Sequence, residues 1–63
     1  MSDQISIAAL REDRGLTQEA LASKLGVTAK AVSGWENSKV AVKPMHVFAL
    51  AYVFKISADK IRI

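Results

Sequence analysis

Apolar residues recur at helical spacing and divide the chain into short amphipathic segments. In its middle, Leu21 and Leu25 lie four residues apart. After an interruption at Gly26, Val32 and Trp35 lie three apart. Residues at these spacings share one face of an α-helix. Helices of about eight residues are unstable alone, so we expect Gly26, which readily adopts a left-handed backbone, to turn one helix onto the other.

Residues that cap helices set the expected bounds of this pair. Thr17 precedes a helix predicted over 18–25, and Thr28 precedes one predicted over 29–37. Gly34 lies inside the second helix, where glycine costs roughly 1 kcal/mol relative to alanine. Either this face approaches another group closely, or an exposed glycine is simply tolerated.

A further helix is expected near the start of the chain. Its apolar residues follow helical spacing over 4–13, and Ser2 or Asp3 precedes it in the capping position. Residues 1–4 are expected to fray, because chain ends have few neighbours to hold them.

Two more helices are predicted in the second half of the chain. Pro44 suits the first position of a helix over 44–54, where its missing amide hydrogen is not needed. Ser57 is expected to cap a short last helix over 58–63. The apolar segment 40–42 is too short and too close to proline to form a strand. The pattern therefore predicts one all-α domain of five helices over residues 1–63, with no strand.

The composition excludes several classes of protein. The chain has 63 residues, no cysteine and one histidine, so neither a disulfide framework nor a zinc site of cysteine and histidine is expected. It also lacks the grouped nucleophiles and carboxylates of an enzyme, and we expect no cofactor and no small-molecule ligand. No apolar run approaches the roughly 18 residues of a membrane span, and no signal peptide opens the chain. A cytoplasmic protein without a membrane partner is expected.

The distribution of charge indicates more than its total. The net charge is +3 and the apolar fraction is 51%. Between residues 20 and 43, Glu36 is the only acidic residue, whereas the basic residues are Lys24, Lys30, Lys39 and Lys43. Most other acidic residues precede this segment. We therefore expect one side of the domain to be positive, as in proteins that bind nucleic acid.

The central segment resembles the helix-turn-helix of the phage Cro and repressor family (Xre-type, lambda-repressor-like). With Gln18 as its first residue, Ala22 occupies the small-residue position and Gly26 the turn position of that motif. The apolar positions of the motif are occupied by Leu21, Leu25, Val27, Val32 and Trp35. The similarity extends over residues 7–61 and includes LREDRGLTQEALA, VSGWENSK and LAYVFKISADKI. It implies a compact five-helix domain in which helices 2 and 3 form the motif.

The resemblance implies that helix 3 enters the major groove of DNA. Lysine donates to guanine O6 and N7, so Lys30 is the strongest candidate for a base contact. Ala29 suits a thymine methyl group, and Ser33 can donate or accept a hydrogen bond. The expected base contacts are Thr28, Ala29, Lys30, Ser33 and Gly34. The alternative is that Lys30 is only a solvated charge. Relatives have glutamines on this face; here the side chains are short, which leaves room for readout of DNA shape.

A second set of residues is expected to contact phosphates. Thr17 and Gln18 begin helix 2, where free backbone amides favour an anion, and the family's matching glutamine contacts phosphate. The expected phosphate contacts are Thr17, Gln18, Asn37, Lys39 and Lys43. Such contacts supply affinity without sequence information, and they make binding depend on salt. The alternatives are that Thr17 only caps its helix and that the lysines belong to a solvated loop.

The resemblance also implies a structural ion pair and a dimer. Relatives have a largely buried salt bridge at the positions of Arg11 and Glu36, which would hold helix 3, the recognition helix. They often pair through helix 4 and the final helix, which places two recognition helices about 34 Å apart on DNA. The candidate interface residues are His46, Phe48, Tyr52 and Ala58. The alternative for Phe48 and Tyr52 is that they complete the core of the monomer.

Two departures from the family pattern affect these expectations. Ser38 stands where many relatives have glycine, so the turn after helix 3 is either rebuilt or strained. The loop before Pro44 is a residue longer than in some relatives, which puts the assignments of Lys39 and Lys43 in question. The chain ends without an effector domain, as either a full-length Cro-like protein or an excised DNA-binding domain.

Two functions from different classes remain open. The first is a sequence-specific DNA-binding transcriptional regulator, a repressor that acts as a weak or DNA-assisted homodimer on double-stranded operator DNA. The second is a protein-interaction module, an antitoxin or adaptor with the same helical fold. Steep salt dependence of DNA binding favours the first, and a protein partner bound independently of salt favours the second.

Overall fold

Over residues 3–63, the computed structural model of the chain has four α-helices, one short 3₁₀ turn and two short strands. The helices are α1 (Ile7–Asp13), α2 (Gln18–Leu25), α3 (Ala29–Glu36) and α4 (Pro44–Phe54). The strands are β1 (Ile5–Ser6) and β2 (Ile61–Arg62), and the 3₁₀ turn is Ala58–Lys60. The helix-turn-helix in a mainly helical domain is confirmed. The prediction of five helices without a strand is wrong.

The central helices begin where their capping residues predicted. The Thr17 hydroxyl accepts from the Ala20 amide at 3.0 Å, and the Thr28 hydroxyl accepts from the Ala31 amide at 3.1 Å. These bonds satisfy amides that have no partner within a helix. Helix α3 ends at Glu36, one residue before its predicted end.

The first helix is shorter than predicted. It begins at Ile7, and its cap is Ser6, whose hydroxyl accepts from the Ala9 amide at 3.2 Å. Asp3 is therefore not the cap, and Ser2 lies outside the described residues. The preceding segment is extended because Ile5 pairs in parallel with Ile61. Gln4, expected to be frayed, donates from its side chain to the Asp59 carbonyl at 3.2 Å.

The predicted fifth helix is replaced by the 3₁₀ turn and β2. Ser57 makes no capping bond to a backbone amide; its hydroxyl instead donates to the Asp59 carboxylate. Ile61 is only 2% exposed, and the extended backbone carries it into the core as it pairs with Ile5 of β1. Burial of this side chain and the pairing with β1 outweigh the weak helical tendency of so short a segment.

The core takes residues from all four helices and from β2. Leu21 and Val32 are fully inaccessible and join α2 to α3, and Leu50 brings α4 against them. The buried set is Ile7, Leu10, Leu21, Ala22, Val32, Trp35, Leu50, Phe54 and Ile61. Among the described residues, no polar or charged residue belongs to it. The functional groups therefore lie on a rigid apolar support.

Each helix is followed by one residue with a left-handed backbone. These residues are Gly15 (φ 68°), Gly26 (φ 72°), Ser38 (φ 59°) and Lys55 (φ 58°). At each end, the next amide donates to a carbonyl five residues earlier, at 2.9–3.1 Å, as in the Schellman motif. Ser38 thus adopts the conformation that glycine would, and as an L-residue with a Cβ it carries the strain.

Candidate nucleic-acid interface

The outward face of α3 carries one basic residue, Lys30. Lys30 and Asn37 are exposed on it, and Ser33 is half-buried. Lys30 forms no hydrogen bond or ion pair with another described residue, so its ammonium group is available to a partner. Of the other predicted base contacts, Thr28 is exposed and uses its hydroxyl as the cap, whereas Ala29 is half-buried against the core. Whether any of them touches a base stays a prediction.

Gly34, the remaining predicted base contact, lies under the side chain of Val40. A Cβ on Gly34 would be 2.7 Å from Val40 Cγ2, closer than side chains pack. Both the Lys39 and the Val40 amides donate to the Gly34 carbonyl, at 2.9 and 3.1 Å. The close approach that a glycine within a helix suggested is therefore made by the chain's own loop. Val40 is the neighbour that the sequence pattern did not identify.

Arg11 and Glu36 form an ion pair that ties α1 to the end of α3. Arg11 Nε donates to Glu36 Oε2 at 2.7 Å, and Nη2 donates to Oε1 at 3.2 Å. The side chains are 13% and 7% exposed. Arg11 Nη1 also donates to the Leu16 carbonyl at 2.8 Å, which holds the turn before α2. Two parallel bonds between a guanidinium and a carboxylate fix orientation as well as distance.

The electrostatics of this pair favour the charged forms. Burial by itself raises the pKa of the Glu36 carboxyl, but the hydrogen bonds from Arg11 and Gln18 and the guanidinium charge together lower it below its ordinary 4.5. The hydrogen bond to Glu36 raises the pKa of Arg11, against the opposing effect of burial. The single carboxylate of α3 is thus neutralised from within the protein, and the outward face keeps its positive character.

The predicted phosphate contacts lie at the N-terminus of α2 and beyond the C-terminus of α3. These two ends meet, because Gln18 Nε2 donates to Glu36 Oε1 at 3.0 Å. The Asn37 side chain donates to the Ser33 hydroxyl at 3.3 Å, and Lys39 and Lys43 are exposed. The link between Gln18 and Glu36 was not predicted. The two residues are 18 positions apart in the chain, and no local pattern predicts a contact between them.

The exposed face of α4 is apolar. Phe48 is 68% exposed and Tyr52 is 84% exposed, so neither completes the core of the monomer. Met45, which was not among the predicted interface residues, is 68% exposed one turn earlier. We call Met45, Phe48 and Tyr52 the α4 surface. The sequence signal for Met45 was its position three residues before Phe48.

The other two interface candidates are more enclosed. His46 is half-buried, and its ring lies 5.0 Å from the Trp35 ring, at an interplanar angle of 41°. Its Nδ1 atom is buried without a hydrogen-bond partner in the structure. Ala58 is half-buried at the start of the 3₁₀ turn. His46 therefore packs chiefly within the monomer.

Within residues 3–63, no cluster of three or more histidine, aspartate or glutamate side chains is arranged to hold a metal ion. No helix in the same part of the chain is long and apolar enough to cross a membrane.

The sequence was also compared with known proteins. No curated protein and no solved structure gives a significant match to the chain. A family model described as helix-turn-helix matches residues 7–61, which covers every helix and reaches the first residue of β2. This family consists of DNA-binding regulatory domains and is not an enzyme family. With the capped α2 and α3 and the turn at Gly26 described above, the match shows that the chain belongs to the helix-turn-helix family.

Proposed function

We propose that the protein is a sequence-specific transcriptional regulator of the Cro or repressor type, which places α3 in the major groove of operator DNA. The observation that carries this proposal is the outward face of α3. Lys30 is exposed and unpaired there among the described residues, while Arg11 neutralises the only carboxylate of the helix. A helix with a free lysine and no unpaired carboxylate suits the major groove, which lies between two negatively charged phosphate backbones.

The ends of the two motif helices support a contact with the DNA backbone. Gln18, at the start of α2, lies beside Glu36, at the end of α3, and exposed Lys39 and Lys43 follow. Contacts to the DNA backbone from the start of α2 and from the residues after α3 would hold α3 in a fixed register along the groove. In this proposal Thr17, Gln18, Asn37, Lys39 and Lys43 contact phosphates, and Thr28, Ala29, Lys30 and Ser33 face the bases.

The α4 surface supports a homodimer as the DNA-binding form. Three large apolar side chains are exposed in consecutive turns of one helix, and α4 contains no charged residue. Such a surface matches a second copy of itself in an isologous pair. A weak dimer completed on two operator half-sites would block access of polymerase in the cytoplasm of a bacterial or phage-infected cell.

The experiment that tests the function is selection of bound sequences from a random pool of duplex DNA. We expect enrichment of a two-fold symmetric sequence with half-sites about 10 base pairs apart, centre to centre. Binding of the selected duplex should weaken steeply as salt is raised. Absence of enrichment and of binding to any duplex at low salt would exclude the proposal. The α4 surface would then favour the second function, a module that binds another protein.

A further inference from the structure

Gly34 leaves a gap in the outward face of α3 because it has no side chain. Every other residue of this helix carries a side chain, and the Cβ that Gly34 lacks would be 2.7 Å from Val40 Cγ2 and 3.2 Å from Val40 Cβ. The isopropyl group of Val40 therefore occupies the space that a side chain at position 34 would fill. A side chain at position 34 would therefore force Val40 to shift, because two groups cannot share this volume.

The loop that carries Val40 is fixed to the helix. The Val40 amide and the Lys39 amide both donate to the Gly34 carbonyl, at 3.1 and 2.9 Å. Ser38, with φ at 59°, makes the reversal that brings them back over α3. These bonds belong to the helix terminus itself, so the position of Val40 relative to α3 is set by the backbone.

Val40 is placed on the side of α3 that carries Lys30. Lys30 and Gly34 are four residues apart and so share one face, about 6 Å apart along the helix axis. Val40 over Gly34 is 50% exposed, although it is a large apolar residue. The exposed part of Val40 thus lies on the same face of α3 as Lys30, nearer the C-terminus of the helix.

We propose that Val40 is a specificity-determining residue of the DNA-binding surface, which contacts the 5-methyl group of a thymine in the major groove. This inference rests on the proposed function, because it requires α3 to face the groove. A branched apolar side chain has no hydrogen bond to offer a base, and the thymine methyl is the apolar group that the major groove presents. Lys30 would read a hydrogen-bonding base edge, and Val40 would read a methyl group further along the helix.

The test uses the operator obtained from the random-pool selection and variants of it with single thymines replaced by uracil. Uracil keeps the base pair and removes only the methyl group. For the wild-type protein, one replacement should weaken binding about three- to fivefold, as expected for one buried methyl group. In Val40→Ala, the same replacement should have no effect, and binding to the unmodified operator should fall by a similar factor.

Two further variants separate a base contact from other effects. Val40→Thr keeps the branched shape and one methyl group, which threonine can offer to a thymine methyl, so its free energy of unfolding and its preference for thymine should both stay close to those of wild type. Lys39→Ala, the matched control in the same loop, should weaken both duplexes equally and keep the preference.

Each remaining outcome contradicts the inference in a distinguishable way. If a selected operator binds equally well with uracil at every position, Val40 reads no methyl group although the proposed function stands. If Val40→Ala weakens thymine and uracil duplexes equally, the loss does not come from a methyl contact and Val40 carries no base specificity. If no operator can be selected, the proposed function and this inference fail together.

Discussion

Gln18, the first residue of α2, donates through its side-chain amide to Glu36, the last residue of α3, at 3.0 Å. Glu36 is at the same time the bidentate partner of Arg11. A primary amide has two N–H groups, and Glu36 takes one of them. The second N–H group has no hydrogen-bond partner among the described residues and is available for the proposed phosphate contact. The ion pair that anchors α3 thus also orients a residue proposed to touch DNA.

Replacement of Gln18 by alanine should separate hydrogen bonding from charge. Gln18→Ala removes a bond to the buried Glu36 carboxylate, and we expect a loss of roughly 1 kcal/mol in the free energy of unfolding, measured by urea denaturation. DNA binding should weaken severalfold with an unchanged slope of log affinity against log salt, because a neutral side chain releases no counterion. Lys43→Ala is the control, and its slope should fall by about 0.9. Unchanged affinity of Gln18→Ala would remove Gln18 from the interface.

Replacement of Lys30 should affect specific binding most. Lys30→Ala leaves the fold intact, because the side chain is exposed and contacts no described partner. A lost base contact should weaken the selected operator by about 1–3 kcal/mol and relax the preference at one position. Binding to DNA of random sequence should change little. Equal losses on both, measured by competition titration, would mean that Lys30 contacts only phosphate.

The ion pair predicts a reversal of pH dependence. In the wild type, the lowered pKa of Glu36 means that the folded state binds fewer protons than the unfolded state. Its contribution to stability is present above pH 4.5 and is lost as the pH falls through the lowered pKa. In Arg11→Met, burial dominates and the pKa of Glu36 rises, so stability should increase as the pH falls through that raised pKa.

Arg11→Met should also be destabilised at neutral pH by about 3–5 kcal/mol, because it leaves a buried carboxylate without its partner. Urea denaturation at several pH values measures both effects, and recovery of helical circular dichroism on acidification reports refolding if the variant is unfolded at pH 7. Arg11→Met/Glu36→Gln is the control and should lack the reversed dependence. Stability of the single variant that falls with acid, as in the wild type, would contradict this account.

Ser38 predicts a stabilising substitution. A left-handed backbone costs an L-residue roughly 1–2 kcal/mol, and substitution by glycine would remove this strain. The greater freedom of glycine in the unfolded chain offsets part of the resulting gain in stability. Ser38→Gly should therefore raise the free energy of unfolding by about 0.5–1 kcal/mol. Gly26→Ala, which has open space around the new methyl group but the same positive φ, should lower it. Destabilisation by Ser38→Gly would show that the serine side chain outweighs the strain.

The α4 surface predicts a variant that loses dimer contacts and keeps its fold. Phe48 is 68% exposed, so Phe48→Glu should change the free energy of unfolding by only about 0.5 kcal/mol. Cooperative binding to the two half-sites should be lost, while a single half-site binds as before. Ala9→Glu, on the exposed side of α1, is the control for added charge. Retained cooperativity in Phe48→Glu, measured by titration of full and half operators, would place the dimer interface elsewhere.

Local chemistry made the central helices predictable. Thr17 and Thr28 cap helices whose first amides lie within three residues of them, and Pro44 and Gly26 act through their own backbone preferences. The strand pair was not predictable in this way. Ile5 and Ile61 are remote in the chain, and neither segment has a strong tendency of its own to form a strand. Their conformation is set by the partner that packing supplies.

In the candidate site, too, features set by local sequence were predictable and features set by tertiary contacts were not. Its exposed cations follow from residue type and helical period, so the positive face of α3 could be placed from the chain alone. The covering of Gly34 by Val40 could not, because it depends on the left-handed backbone at Ser38 and on two amides that share one carbonyl.

The order of residues alone determined where the central helices begin, where the chain turns between them and which face of each is apolar, because these depend on groups a few residues apart. Only the tertiary structure decided that Gln18 meets Glu36, that Val40 lies over Gly34 and that the two ends of the chain pair as strands. Those contacts join residues whose distance is set by close packing of the whole core, and no local preference specifies it.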